Sequence, residues 1–305
     1  MRTAFIKTLT EMAGADERIH LVVGDIGFSV VEEFAERFPD RFLNAGVAEQ
    51  SMTGVAAGLA IGGGCIVFAY SIANFPVMRC LEQIRNDVCY HNASVKIVAV
   101  GGGVSYGPLG YTHFAVEDLA VMRAMPGMVV AAPGDPIEAA IITRLACKTP
   151  GPWYIRLGKK GEPTIHTRSL RLQVGEALQV RDGFEGTVVA TGAVLYEAWK
   201  AVQVLAREGR DLRLLSVPFV KPLDGPKILR ASAETDWMLT VEEHNPYGGL
   251  GTAVSEVLAE RGSGKDLKRL TLPERVSESG SQEYLRRRYG LDAEGIADLI
   301  RSELT

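Results

Sequence analysis

Residues Asn44–Ala60 read NAGVAEQSMTGVAAGLA. The stretch is small and apolar, with Glu49 as its one acid. Gly54 and Gly58 fall inside a helical pattern, where each glycine costs roughly 1 kcal/mol relative to alanine. A sequence that accepts that cost predicts a helix over Val47–Ile61 that comes very close to a neighbour. Glu49 stands near the N-terminal end of this helix. From spacing alone the residue has two readings. It is either a first-turn acid answering the helix dipole, or a functional carboxyl in an apolar setting, where loss of solvent favours the protonated form.

On both sides of this helix, short β-branched runs alternate with helical patterns. Strands are expected at His20–Gly24, Cys65–Tyr70, Val95–Val100, Met128–Ala132 and Trp153–Leu157. Helices are expected near Val30–Arg37, Val77–Tyr90, Val116–Met125 and Pro136–Lys148. Such alternation predicts an α/β fold, a parallel sheet with helices on both faces. Gly158–Arg171 reads GKKGEPTIHTRSLR, polar and without apolar periodicity, which marks an interdomain linker. A second alternating set follows, with strands at Thr187–Thr191, Leu212–Val217, Trp237–Val241 and Leu267–Leu272. Two domains are therefore expected, at about 1–165 and 170–305.

Hydrophobic residues make up 47% of the 305, enough for packed cores of this kind. The net charge of −4 argues against nucleic acid as a partner, because phosphate binding needs a concentrated basic face. The one basic run, Arg286–Arg288, reads as a solvated helix face. Cys65, Cys80, Cys89 and Cys147 lack metal-clasp or redox spacing. Most lie in apolar segments, which suits a reducing, cytoplasmic setting. The opening MRTAFIKTLTEMAGAD reads as a first helix rather than a signal peptide. No apolar stretch free of charge and glycine is long enough to span a bilayer. His20, His91, His166 and His244 have no acid–nucleophile partner at readable spacing and read as structural or surface residues.

GVAEQSMTGVAAGLA resembles the segment that holds the essential glutamate of transketolases and of deoxyxylulose-phosphate synthase. Further stretches match that family in the same order. They are GDIG (Gly24–Gly27), LEQIRNDV (Leu81–Val88), the run from Tyr111 to Ala139 that opens YTHFAVED, YIRL (Tyr154–Leu157), VPFVKPLD (Val217–Asp224) and EEHNPYGGLG (Glu242–Gly251). The resemblance covers nearly the whole chain. It implies that the first domain is the pyrimidine-binding domain of thiamine-diphosphate enzymes, and that the second is the smaller α/β transketolase C-terminal domain.

The resemblance also implies roles for particular residues. Glu49 would bond the pyrimidine nitrogen of thiamine diphosphate and favour the tautomer that deprotonates the thiazolium ring. Phe75 would stack on the pyrimidine. Ile72 departs from the family's aromatic there, so one wall of that pocket would be aliphatic. Asp25 would stand near the cofactor. His113 would face the sugar at the substrate mouth as a second catalytic residue. Arg156 would grip a substrate phosphate with its guanidinium fork. Leu109 replaces the family's acid that contacts a donor hydroxyl, and Gly101 falls where the family has a second histidine. Losing such groups points to a modified or unusual sugar.

The family's diphosphate-binding GDG motif is absent, since VGDIG (Val23–Gly27) precedes the glutamate segment. The diphosphate and its Mg²⁺ are therefore expected on a partner, an N-terminal transketolase subunit, within an α2β2 assembly. The implied reaction moves a two-carbon ketol unit from a ketose to an aldose through an enamine on the cofactor. Two alternatives stay open. One is the β subunit of a 2-oxo-acid dehydrogenase, which shares the domain order. The other is a non-catalytic paralogue that binds the partner.

Overall fold

The computed structural model describes residues 1–167 and 169–304. The first sheet contains β1 (Ile19–Val23), β2 (Phe42–Asn44), β3 (Ile66–Ile72), β4 (Val95–Val100), β5 (Val129–Ala131) and β6 (Trp153–Leu157). The second contains β7 (Leu178–Arg181), β8 (Gly186–Ala190), β9 (Leu212–Ser216), β11 (Trp237–Val241) and β12 (Asp266–Leu270). Between β9 and β11 the chain returns to the first sheet as β10 (Phe219–Lys221), which pairs antiparallel with β5. The strand orders are β10-β5-β6-β4-β3-β1-β2 and β12-β11-β8-β9-β7. Apart from β10–β5 and β7–β9, neighbouring strands run parallel.

The central strands are continuous apolar runs because both of their faces are covered. β4 and β6 are buried at every position, as strands of a doubly covered parallel sheet are. On one face Phe5 and Leu9, from helix Arg2–Ala15, pack with Phe68, Tyr70 and Ile142. On the other, Met52 and Ala56 of helix Glu49–Gly63 pack with Val67, Ala69 and Leu119. The second sheet is covered in the same manner by Leu195–Arg207, Gly225–Glu234, Leu250–Glu260 and Ala293–Glu303.

Several elements differ from the sequence reading. The helix expected over Val77–Tyr90 is broken into Phe75–Met78, Leu81–Gln83 and a π-turn at Ile84–Cys89. β2, β7 and β10 are edge strands of three or four residues, too short to show a period. The linker is docked rather than free: Ile165 N and His166 N donate to Asp135 Oδ2 at 2.9 and 2.8 Å. Its Arg168 lies outside the described residues. The basic run is only partly solvated, because Arg286 turns inward to Glu243 at 3.0 Å with 12% of its side chain exposed.

Candidate functional site

The first sheet has a switch point between β1 and β3, because the chain leaves β1 toward β2 at one edge and leaves β3 toward β4 on the other side. Open parallel sheets bind ligands in the crevice outside the carboxyl ends of the strands at such a point. Glu49 stands there. After β2, Asn44 is clipped to Asp25 at the end of β1: Asp25 N donates to Asn44 Oδ1 and Asn44 Nδ2 donates to Asp25 Oδ1, both at 3.0 Å. Gly46, at φ +72, then turns the chain so that Glu49 opens the next helix. Its carboxyl folds into the crevice: the side chain is 4% exposed, and a Cβ on Gly24 would lie 3.7 Å from Glu49 Cγ.

The carboxylate has few partners. Oε2 accepts from Arg79 Nη1 at 2.8 Å. Ser71 Oγ, near the end of β3, approaches Oε1 only at 3.5 Å. The Arg79 guanidinium lies 4.0 Å from the centroid of the Phe75 ring. Phe75 in turn meets His113 edge-on, with ring centroids 5.2 Å apart. The His113 loop is tied down where Asn74 Nδ2 donates to Thr112 O at 3.1 Å. Beside this cluster a cavity of about 340 Å³ is lined by Val47, Ala48, Glu49, Gln50, Ser51 and Arg79.

The structure therefore brings together Glu49, Phe75 and His113 through Arg79, a residue the sequence reading did not single out. Ile72 ends β3, half-buried, three residues before Phe75. Asp25 is exposed at φ +54 and serves the Asn44 clip. Leu109 sits on the turn Gly107–Leu109 with 56% of its surface exposed. Gly101 explains itself: at φ +88, a side chain there would run into the Tyr106 ring. Tyr106 fills that space and comes within 6.3 Å of His113.

Arg156 is held on two of its three guanidinium nitrogens. It is 4% exposed. Its Nη2 donates to Ala115 O and Glu243 O at 2.5 and 2.8 Å. Its Nε stands 2.9 Å from Asp118 Oδ2, an ion pair whose angle falls short of a hydrogen bond. The residue thus ties β6 to the second unit through Nη2, while its Nη1 takes no partner among the described residues and the side chain borders a small cavity with Gly102, Gly158 and Gly192.

An aminopyrimidine needs a carboxyl at its edge and a flat apolar wall under its ring. The guanidinium of Arg79 is a planar cation using both: it is bonded to Glu49 and laid on Phe75. The residues thus fit the cofactor that the resemblance implies. Among the described residues no group of His, Cys, Asp and Glu is arranged to hold a metal ion. No helix is long and apolar enough to cross a membrane.

Comparison with known proteins gives a consistent pattern. Residues 1–163 match the family described as transketolase, pyrimidine binding domain, and residues 175–296 match transketolase, C-terminal domain. The chain is 36% identical to an apulose-4-phosphate transketolase subunit of Actinobacillus succinogenes, over 93% of this chain and 91% of that one. It is 34% identical to a 6-deoxy-6-sulfo-D-fructose transketolase subunit of Clostridium sp., over 97% of this chain and 92% of that one. Among solved structures it superimposes with a TM-score of 0.89 on a split gene transketolase described as an inactive beta4 tetramer, at 34% identity, covering 99% and 97% of the two chains.

Proposed function

This chain belongs to the transketolase family, as the pyrimidine-binding and C-terminal half of a split enzyme, and on that premise we propose how its residues work. The observation that carries the reading is the buried Glu49 carboxyl at the sheet's switch point, with Phe75 beside it. Thiamine diphosphate, when bound, supplies the electron sink for breaking a carbon–carbon bond next to a carbonyl. Glu49 and Phe75 would hold its pyrimidine, with Ile72 and Asp25 at the edges of that pocket. Glu49 would exchange a proton with the ring nitrogen, at a contact that its burial shields from solvent. His113, held edge-on to Phe75 and next to the Tyr106 ring, presents its imidazole to the sugar hydroxyls.

A partner chain supplies the diphosphate-binding domain and Mg²⁺, in an α2β2 assembly in the cytoplasm. The exposed face of the Glu49 helix suits such a contact: a side chain on Gly54, Gly58 or Gly62 would find nothing within 4 Å. The glycines predicted to allow close approach thus make none within this chain. The ketose is a modified sugar carrying an anionic end. Leu109 and Gly101, which stand where polar sugar contacts are usual in the family, support this. So do the phosphate and sulfonate sugars named for the relatives.

Co-expression with the N-terminal subunit and a ketol-transfer assay tests the reading. The complex should transfer two carbons from a ketose to an aldose, while this chain alone is silent. Acylation of a lipoyl domain from a 2-oxo acid, without ketol transfer, would point instead to a dehydrogenase subunit.

A further inference from the structure

After β4 the chain reads Gly101-Gly102-Gly103, and each of these glycines makes room for one side chain. A Cβ on Gly101 would run into the Tyr106 ring, one on Gly102 into Arg156, and one on Gly103 into Glu243. Gly101 N and Gly102 N both donate to Leu157 O, at 2.9 and 3.1 Å, so the segment lies against the end of β6. Tyr106 therefore fills the space that a side chain at position 101 would take. From there its ring stands 6.3 Å from that of His113, which meets Phe75 at 5.2 Å. Lys159, just beyond β6, lays its ammonium 4.8 Å from the Tyr106 centroid. A line of contacts thus runs from Lys159 through Tyr106 and His113 to Phe75 and, by way of Arg79, to Glu49.

Tyr106 and Lys159 are both half-buried, and both keep donors without partners. The hydroxyls of Tyr111, Tyr154 and Tyr284 are bonded to carboxylates, whereas that of Tyr106 meets no hydrogen-bond partner among the described residues. Burial pushes the Tyr106 pKa up, so the phenol keeps its proton at neutral pH and can donate it to an acceptor. Among the described residues the lysines paired with carboxylates are Lys200 and Lys268, which leaves the Lys159 charge uncompensated. The acids closest in the fold are engaged elsewhere. Glu162 holds the Met1 amino group, and Glu243 accepts from Gln282 at 3.1 Å and from Arg286 at 3.0 Å.

We propose that Tyr106 and Lys159 form a donor pair that holds the anionic end of the ketose, a phosphate or a sulfonate, beside Arg156. The inference rests on the transketolase reading above and adds to it two specificity-determining residues. The phenol hydroxyl supplies one fixed donor, because Gly101 and His113 set the position of the ring. The ammonium supplies the charge. Its contact with the ring face holds it near the phenol while leaving its N–H groups for an oxyanion. Arg156 keeps its own place, since it packs against the neighbouring Gly102.

The test uses the complex with the N-terminal subunit and three donors: apulose 4-phosphate, 6-deoxy-6-sulfofructose and the neutral ketose erythrulose. Tyr106→Phe keeps the ring and its packing and removes only the hydroxyl. It should lower the ratio of kcat/KM on an anionic donor to that on erythrulose by about three- to tenfold, mainly through KM. Lys159→Gln should lower the same ratio by about tenfold or more, as the loss of a charge-assisted contact does, and Lys159→Arg should restore part of it. The anionic donor with the larger loss identifies phosphate or sulfonate as the group held. An active wild-type complex whose ratio is unmoved by Tyr106→Phe, or unmoved by Lys159→Gln, overturns the donor pair and leaves the transketolase reading standing. A wild-type complex inactive on all three donors contradicts that reading and the inference with it.

Discussion

At the scale of single residues, Glu49 is the first residue of its helix, and its buried carboxyl is linked to the Phe75 ring through Arg79. Its cationic partner was not legible, because Arg79 lies thirty positions away and reaches Glu49 only through the broken helix after Phe75. Half of the Arg79 side chain is in solvent, at 48% exposure. The pair is therefore worth nearer the ~1 kcal/mol of a surface pair than the roughly 3–5 kcal/mol lost on breaking a buried one. Arg79→Met should destabilise this chain by about that smaller amount, and Glu49→Gln should remove most of the penalty. Urea melts of the two single variants and the double variant check this. Equal costs of Arg79→Met in both backgrounds would show that the pair is not coupled. Arg156 shows the opposite limit of legibility. Its motif suggests a phosphate ligand, and only the packing shows that Asp118 and two backbone carbonyls fix its Nε and Nη2.

At the scale of elements, the central strands were readable because burial on both faces leaves an unbroken apolar run, as in Val95–Val100 and Trp153–Leu157. Edge strands were not readable, since three residues such as Phe42–Asn44 carry no period. The Glu49 helix was placed nearly in full, starting at Glu49 rather than Val47. Ala56 and Ala57 pack into this chain's core, while a side chain on Gly54, Gly58 or Gly62 would meet nothing within 4 Å. The Val77–Tyr90 region was misjudged because its apolar spacing hides two interruptions. Pro76 starts one short helix at a position where proline is well tolerated, and a π-turn closes the segment. Those interruptions are what aim Phe75 and Arg79 at Glu49, so the poorly legible element is also the one that builds the site. The GGG segment has a similar origin. Gly101 at φ +88 makes room for Tyr106, a tertiary reason that spacing cannot show.

At the scale of the whole molecule, the two units are held by buried polar contacts that no motif announces. Glu138, fully buried, accepts from Ser216 Oγ at 2.6 Å in the second unit, from Gly134 N at 2.5 Å, and pairs with His166 of the linker at 2.7 Å. His166 was read as structural, and it is the linker's anchor. Burial opposes its charge, but the hydrogen bond that its Nε2 donates to Glu138 and the charges of Glu138 and Asp135 outweigh burial and raise its pKa. A raised folded-state value means that the stabilisation is fully present below the ordinary value of 6.5 and is lost as pH rises through the raised one. Thermal melts across that window should show wild type losing stability relative to His166→Gln as pH rises. A difference between the two that does not change with pH would remove the ion pair from the account. Gln282 adds a second tie: its Nε2 donates to Ser105 Oγ of the first unit and to Glu243 Oε1 of the second, both at 3.1 Å.

On the proposed reading, this chain lends one buried carboxyl to a cofactor whose site another chain completes. The most direct measurement is hydrogen–deuterium exchange at the thiazolium carbon of thiamine diphosphate, followed by NMR in the complex of this chain with the N-terminal subunit. Glu49→Gln keeps the size of the side chain and removes its exchangeable acid. The variant should assemble normally and exchange more slowly by roughly 10²–10⁴-fold, the scale of a lost general acid–base group. Exchange as fast in the variant as in the wild type would contradict the role assigned to Glu49.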